Sequence, residues 1–198
     1  MSATGKVCTG FSQPFVACYG ESGGAVTYSS GQSLARGVSV SIAPESADNN
    51  DFYADNVRAE SVSGTFTGGT VTVTVDGLLP AAEKLIYGLP TAATVSSVSV
   101  YQYGDDAAPP YMGFGFIARY MSGGTTSYKV IMLTKIKFNL PTDAATTQGE
   151  TIDWQTQELT ASIMRDDTSG HNWKYVGVTE YSSESAAVAD LKKLLGIT

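Results

Sequence analysis

The sequence predicts a mainly β protein, a β-sandwich or partial barrel with one internal flanking helix and a C-terminal helix. Three observations lead there. Gly, Ser and Thr together supply about a third of the 198 residues and Val outnumbers Leu, a composition that favours strands over helices. Apolar and polar residues alternate with a period of two from one end of the chain to the other. Only two stretches carry the end signals of helices. At 42% apolar and 16% charged residues the chain can bury a proper core, and neither a fixed-period repeat nor a low-complexity linker divides it. A single domain spanning residues 1–198 is expected.

A first strand is expected near residues 7–19. Val38, Val40 and Ile42 then alternate with Ser39 and Ser41. The acidic, Asn-rich stretch Pro44–Asp51 sits between two strands and ends in Phe52-Tyr53, and a further strand is expected near 58–66. Val71, Val73 and Val75 alternate with Thr70, Thr72 and Thr74, giving an apolar face and a hydroxyl face. Pro80–Gly88 opens with Pro in the first turn and stops at Gly, the usual asymmetry of helix ends. After a strand near 96–103, Met112, Phe114, Phe116, Ala118 and Tyr120 share one face of a long strand opposite Gly113, Gly115, Ile117 and Arg119. Ser122-Gly-Gly-Thr125 reads as a hairpin turn, since glycine reaches positive φ without steric cost.

The return strand runs from about Ser127 to Phe138. Strict alternation sets Tyr128, Val130, Met132, Thr134, Ile136 and Phe138 against Lys129, Ile131, Leu133, Lys135 and Lys137. Strands near 150–156, 158–165 and 173–181 complete the set. Ser183–Leu195 is the second helix, with Val188, Leu191 and Leu195 on one stripe, Lys192 and Lys193 in the last turn, and Gly196 as its cap.

Several classes of chemistry find no footing. Twelve Lys and Arg against 19 Asp and Glu leave a net charge of −7, which argues against gripping phosphates with cationic side chains. No apolar run approaches the ~18 residues of a membrane helix, and the N-terminus lacks a basic region followed by an apolar one. Cys8 and Cys18 are separated by nine intervening residues, with His171 as the single histidine, too few ligands for zinc; both read as reduced, strand-borne apolar residues of a chain made in the cytosol. No metal site and no cofactor is expected. Gly20-Glu-Ser22-Gly-Gly24 matches the G-x-S-x-G of a nucleophile elbow, but Ala25–Gly31 starts a strand or turn instead of a helix, and His171 would have to be the base. A Gly/Ser turn explains the match without catalysis. Asp105-Asp106 and Asp166-Asp167 read as solvated loop acids that stabilise turns.

Four segments, taken together and in order, resemble the major tail (tail tube) proteins of long-tailed, siphovirus-type bacteriophages. They are Phe52-Tyr-Ala-Asp-Asn56, Gly64–Val75, the helix Ala82–Gly88, and Lys137–Thr156 preceded by the aromatic strand Tyr111–Tyr120. The resemblance spans roughly residues 33–165. Its motif positions are Tyr53, Ala54 and Asp55 at a strand start, Phe138, Pro141, Thr147 and Gly149 in a hairpin, and Gln155-Thr156 in a short strand. It implies a structural virion protein and not an enzyme. Homo-hexameric rings would stack into a hollow tube, meet other tail proteins at the tube ends, and pass DNA through the lumen without specific binding. Assembly would take place in the host cytoplasm, away from any membrane.

An acidic chain suits such a conduit, because its surface does not hold a moving polyanion. Long strands with few charges suit pairing between copies. Three alternatives stand beside this reading: a β-sandwich carbohydrate- or receptor-binding module using the aromatic strand, a hydrolase using Ser22, and the inner tube of a contractile tail or secretion machine. The tube reading also predicts subunit contacts through Asp48, Asn49, Asn50, Asp51, Phe52 and Tyr53. The competing expectation is that the asparagines cap an exposed tip while Phe52 and Tyr53 enter their own subunit's core. The C-terminal helix is expected to fold back on its own subunit.

Overall fold

A computed structural model of the chain describes residues 5–152 and 154–197. Six strands come first: β1 (Val7–Ser22), β2 (Ala25–Ser33), β3 (Gly37–Ser46), β4 (Asn50–Ala54), β5 (Val57–Val62) and β6 (Phe66–Val75). After α1 (Pro80–Ile86) come β7 (Ala93–Val95), β8 (Val98–Val100), β9 (Tyr111–Ser122), β10 (Thr125–Phe138), β11 (Gln157–Met164), β12 (Lys174–Val176) and α2 (Glu184–Leu194). One antiparallel sheet runs in the order β2-β1-β9-β10-β11-β6-β3, with β12 also paired to β10, while β4–β5 and β7–β8 are separate hairpins. The protein is mainly β with an internal and a C-terminal helix, as its composition and alternation require.

The alternation sorts the layers. Val71, Val73 and Val75 of β6 are fully buried, and on the opposite face the Ser39 hydroxyl bonds that of Thr74 at 2.9 Å. The sheet curls until β3 meets the start of β1, where the Phe11 ring lies so close that a Cβ on Gly37 would stand 2.1 Å from it. Inside the curl lie Val16, Phe114, Leu133, Ile136 and Ile163, joined by Ala82 and Ile86 of α1. The β9–β10 turn uses Gly123 and Gly124 at φ 55° and 81°, the positive pair that a tight hairpin of the right twist demands.

α2 covers the other face of β1, β9 and β10. Ala187, Leu191 and Leu195 pack there on Phe15, Ala17, Ile117, Val130 and Met132, with Val188 half-buried at the rim. The helix sits low because β9 presents glycine beneath it. A Cβ on Gly115 would lie 2.4 Å from Leu191 Cδ1, and one on Gly113 would lie 3.1 Å from Leu195 Cδ2. The helix thus folds back on its own chain, burying side chains worth roughly 1.5–3 kcal/mol each.

Strict alternation fails in β10. The β9 register steps from Leu133↔Phe114 to Ile136↔Met112, so β10 uses three residues where β9 uses two, a bulge at Thr134-Lys135. Before it, Val130 and Met132 face α2 while Leu133 faces the main core; after it, Ile136 and Phe138 face the main core. The bulge is held by polar partners, with the Thr134 hydroxyl donating to the Asn172 carbonyl and the Tyr28 hydroxyl to the Thr134 carbonyl, at 2.7 and 2.9 Å. It is also where β10 passes from pairing with β12 to pairing with β11.

Other boundaries are corrected too. The described residues among 150–156 form no strand, and the expected strand at 96–103 is the short hairpin β7–β8. The one at 173–181 shrinks to β12, and the one at 58–66 is cut between β5 and β6. Tyr53 and Ala54 end a strand instead of starting one, because Asp55 and Asn56 take φ 51° and 66° and make its turn. Residues 139–149 leave the end of β10 as irregular chain, with no hairpin, and Gln155-Thr156 precede β11.

Candidate assembly surfaces

Three surfaces stand out. The first is an arm. From Ala47 to Gly64 the chain leaves the sheet between β3 and β6 as the hairpin β4–β5, exposed almost throughout. Its base is fixed: Ala47 N–H donates to the Thr65 carbonyl at 2.9 Å, and Gly64 N–H to the Asn49 side-chain oxygen at 3.2 Å. Phe66 stacks on Trp173 with centroids 4.7 Å apart, and the Arg165 guanidinium bonds the Phe66 carbonyl. A Cβ on Gly64 would fall 1.6 Å from the Ala47 carbonyl oxygen, so only glycine fits this exit.

The register of the arm gives it two different faces. Phe52 opposes Glu60, Asn50 opposes Val62 and Ala54 opposes Val57, whereas Tyr53 opposes Arg58 and Asp51 opposes Ser61. Directly opposed residues share a face, so Phe52, Ala54, Val57 and Val62 stand on one side together with Asn50 and Glu60. The polar side is closed by Asp51, which accepts from Ser61 at 2.5 Å and pairs with Arg58 at 3.4 Å. Phe52 and Tyr53 are each 62% exposed, so neither enters the subunit's own core. Asp48, Asn49 and Asn50 are exposed beside them.

The second surface is a pair of sheet edges. Among the described residues β2 ladders only with β1, and β3 only with β6. Edge strands of stable monomers are guarded by charge, proline or brevity. β2, AVTYSSGQS, has neither charge nor proline across nine residues, and β3 carries Pro44 and Glu45 only near its end.

The third lies between β10 and β11. Phe138 is buried as the last residue of β10. Pro141, Gln155 and Thr156 line one cleft with Leu140, Asp76 and Tyr87, so motif positions distant in sequence meet at this end of the sheet. Thr147 and Gly149 stand exposed outside that lining. Leu140, Ile152 and Trp154 are exposed apolar residues here, Trp154 at 84%. The strand expected at 150–156 would have placed Ile152 and Trp154 together on one inward face, which is why the sequence reading missed them.

The residues weighed for catalysis are arranged otherwise. Ser22 ends β1 at the Gly23-Gly24 turn and the chain continues as strand β2, so the strand-to-helix elbow of a serine hydrolase is not formed. His171 is exposed, at φ 46°, in the loop between β11 and β12. Asp166 in that loop is buried and not solvated as expected: its carboxylate accepts from Thr168 Oγ1 at 2.6 Å and Asn172 N–H at 2.8 Å, closing the loop on itself. Asp167 clamps the loop to the sheet, taking the Lys135 ammonium at 2.6 Å and the Tyr19 hydroxyl at 2.8 Å. Lys135, followed by Tyr19, holds Asp167 below the usual carboxylate range, and burial pushes Tyr19 up to about 12. Cys8 and Cys18 are free thiols on β1.

Among the described residues no helix is long and apolar enough to cross a membrane. No protein-family model and no curated protein sequence matches the chain.

Proposed function

We propose that this chain is a structural subunit of a bacteriophage tail tube, assembling as rings of six copies that stack into a conduit for DNA. The observation that carries the reading is the pair of long edges on one curled sheet, β2 without charge or proline and β3 with Pro44 and Glu45 only near its end. A strand edge without charge or proline is a template for another strand. When the two edges of one sheet differ in sequence, their pairing is heterologous, and such pairing closes into rings when the rotation between copies allows it. The exposed arm adds a contact away from those edges, and an isolated two-stranded hairpin is marginal in water without a partner. The net charge of −7 leaves a lumen that does not retain DNA. The tail-tube part of the proposal, with the virion as place of residence and other tail proteins at the tube ends, rests on the sequence resemblance around Tyr53-Ala-Asp55 and Lys137–Thr156, segments that do not form the strand start and hairpin expected of them.

Electron microscopy and sedimentation of the purified protein over a wide concentration range test the proposal. Rings or tubes with a central hole are expected. A single 20.8 kDa species at every concentration would sink it.

A further inference from the structure

We propose that the cleft between the end of β10 and the start of β11 binds a linear organic cation of the polyamine class. The proposal stands independently of the tube reading. At the floor of the cleft is Tyr87, the C-cap residue of α1, which is only 1% exposed. Ala82 and Ile86 anchor α1 in the main core, and that packing fixes the Tyr87 ring. Among the described residues no buried side-chain oxygen or nitrogen lacks a hydrogen-bond partner, and the Tyr87 hydroxyl bonds to none of them. The hydroxyl is therefore the part of this residue that reaches open space, and the space that Tyr87 lines is the cleft. A buried tyrosine ordinarily finds a partner for its hydroxyl. Here the partner has to come from the cleft.

Charge selects the kind of partner. The cleft has a volume of about 580 Å³, within the range of small-molecule sites. Its lining includes the carboxylates of Asp76, Asp143 and Glu158 and holds no Lys, Arg or His. Asp76 is already committed to Arg36, accepting its backbone N–H at 3.0 Å and pairing with its guanidinium. Asp143 and Glu158 enter no ion pair among the described residues. Burial, followed by Glu83 and Asp143, pushes the Tyr87 hydroxyl up to about 12, so it stays neutral and keeps lone pairs to offer a donor. Two unpaired carboxylates and a hydroxyl, without a cation of their own, favour a positively charged ligand over an anionic or neutral one.

Shape argues for a chain and against a compact ion. A second cleft of about 370 Å³ adjoins the first, and Leu140 and Pro141 belong to both. Tyr103 walls the second cleft, its ring 6.0 Å from that of Tyr87, and its hydroxyl donates to Glu83 at 2.7 Å. Gly104 in the same lining leads into Asp105 and Asp106, both exposed. Carboxylates thus flank both clefts, with Leu140 and Pro141 between them. A linear diamine or triamine matches that order: its ammonium groups meet carboxylates, and its methylenes lie along the apolar wall and the tyrosine rings.

Titration calorimetry of the full chain with spermidine tests the proposal, at low ionic strength and again at about 0.15 M salt, where charges are screened beyond about 8 Å. One spermidine per chain is expected, with saturable binding that weakens but persists at the higher salt. Tyr87→Phe removes the hydroxyl and keeps the ring, and should weaken binding about tenfold or more, the range for losing a hydrogen bond to a charged group. Asp143→Asn lies on exposed, irregular chain and should also weaken it, whereas Asp48→Asn removes the same charge from the β4–β5 hairpin and should change nothing. If Tyr87→Phe disturbs folding, as read by circular dichroism, the two aspartate variants still decide. Equal losses from Asp143→Asn and Asp48→Asn would mean diffuse attraction to an acidic chain and would overturn the site. Undiminished binding by a folded Tyr87→Phe, saturable binding of neutral maltotriose in place of spermidine, or no binding of either would overturn it as well.

Discussion

The C-terminal helix and the β4–β5 arm are both appendages of the same sheet, yet they treat their apolar residues in opposite ways. α2 turns Ala187, Leu191 and Leu195 onto a floor of Gly113, Gly115, Ile117, Val130 and Met132 and buries them completely. The arm holds Phe52, Val57 and Val62 in solvent, although its base is fixed by hydrogen bonds and a stacked ring pair. The contrast separates two uses of hydrophobic surface. The helix commits it to the fold of one chain, where shape complementarity to a glycine floor is already complete. The arm leaves it in solvent, outside the core of its own chain.

If that division is right, damage to the helix destabilises the subunit and damage to the arm does not. The largest effect is expected from Leu191→Ala, which removes a fully buried side chain and leaves a cavity over Gly115: about 2–5 kcal/mol. For a chain of this size each kcal/mol moves the thermal midpoint by roughly 2–4 °C. A midpoint unchanged within error would show that α2 is not part of the core. Gly115→Val tests the floor itself. The added carbons meet Leu191 Cδ1 and lift the helix, at a cost of about 1–3 kcal/mol; the midpoint of urea unfolding should fall accordingly, and a stabilised variant would disprove the close approach.

A smaller effect belongs to the loop between β11 and β12, where an ion pair ties the chain to the sheet. Asp167 has its pKa lowered in the folded state by Lys135 and then by Tyr19. Its contribution is therefore present above the ordinary carboxylate range and is lost as pH falls through the lowered folded value. Asp167→Asn should be slightly less stable than wild type near neutral pH, and the gap should close in acid. A gap that persists unchanged to strongly acid pH would contradict the assignment. Last comes the arm: replacing residues 48–63 by a tight turn should move the stability of the isolated subunit by no more than about 0.5 kcal/mol. A loss of several kcal/mol would mean that the arm belongs to the fold of its own subunit and would dissolve the contrast with α2.

Much of the fold was legible in residue order, for identifiable reasons. Where one face is buried and the other wet, period two carries the assignment, as in Val71-Val73-Val75 against the threonines and in Met112–Tyr120. Helix ends were legible because Pro80, Gly88 and Gly196 mark them by backbone chemistry. The arm was legible as a protruding segment ending in two aromatics, but not as a hairpin with Asp55-Asn56 at its tip, because both strands are exposed on both faces. The far apolar surface was misread as a strand.

What the sequence determined by itself was the fold class, both helices, the stripe of α2 and the turns made by paired glycines, since each depends on neighbours within a few residues. The tertiary structure alone decided the bulge at Thr134-Lys135. It exists because one strand must ladder with β9 along one edge and pass from β12 to β11 along the other, serving two cores in turn. Tertiary structure also decided that Gly113 and Gly115 are a helix floor, that Asp166 is buried, and that Phe52 and Trp154 sit at opposite ends of the molecule. Those facts are distances between segments remote in sequence, set by strand register and by the curl of the sheet, and no local pattern encodes them.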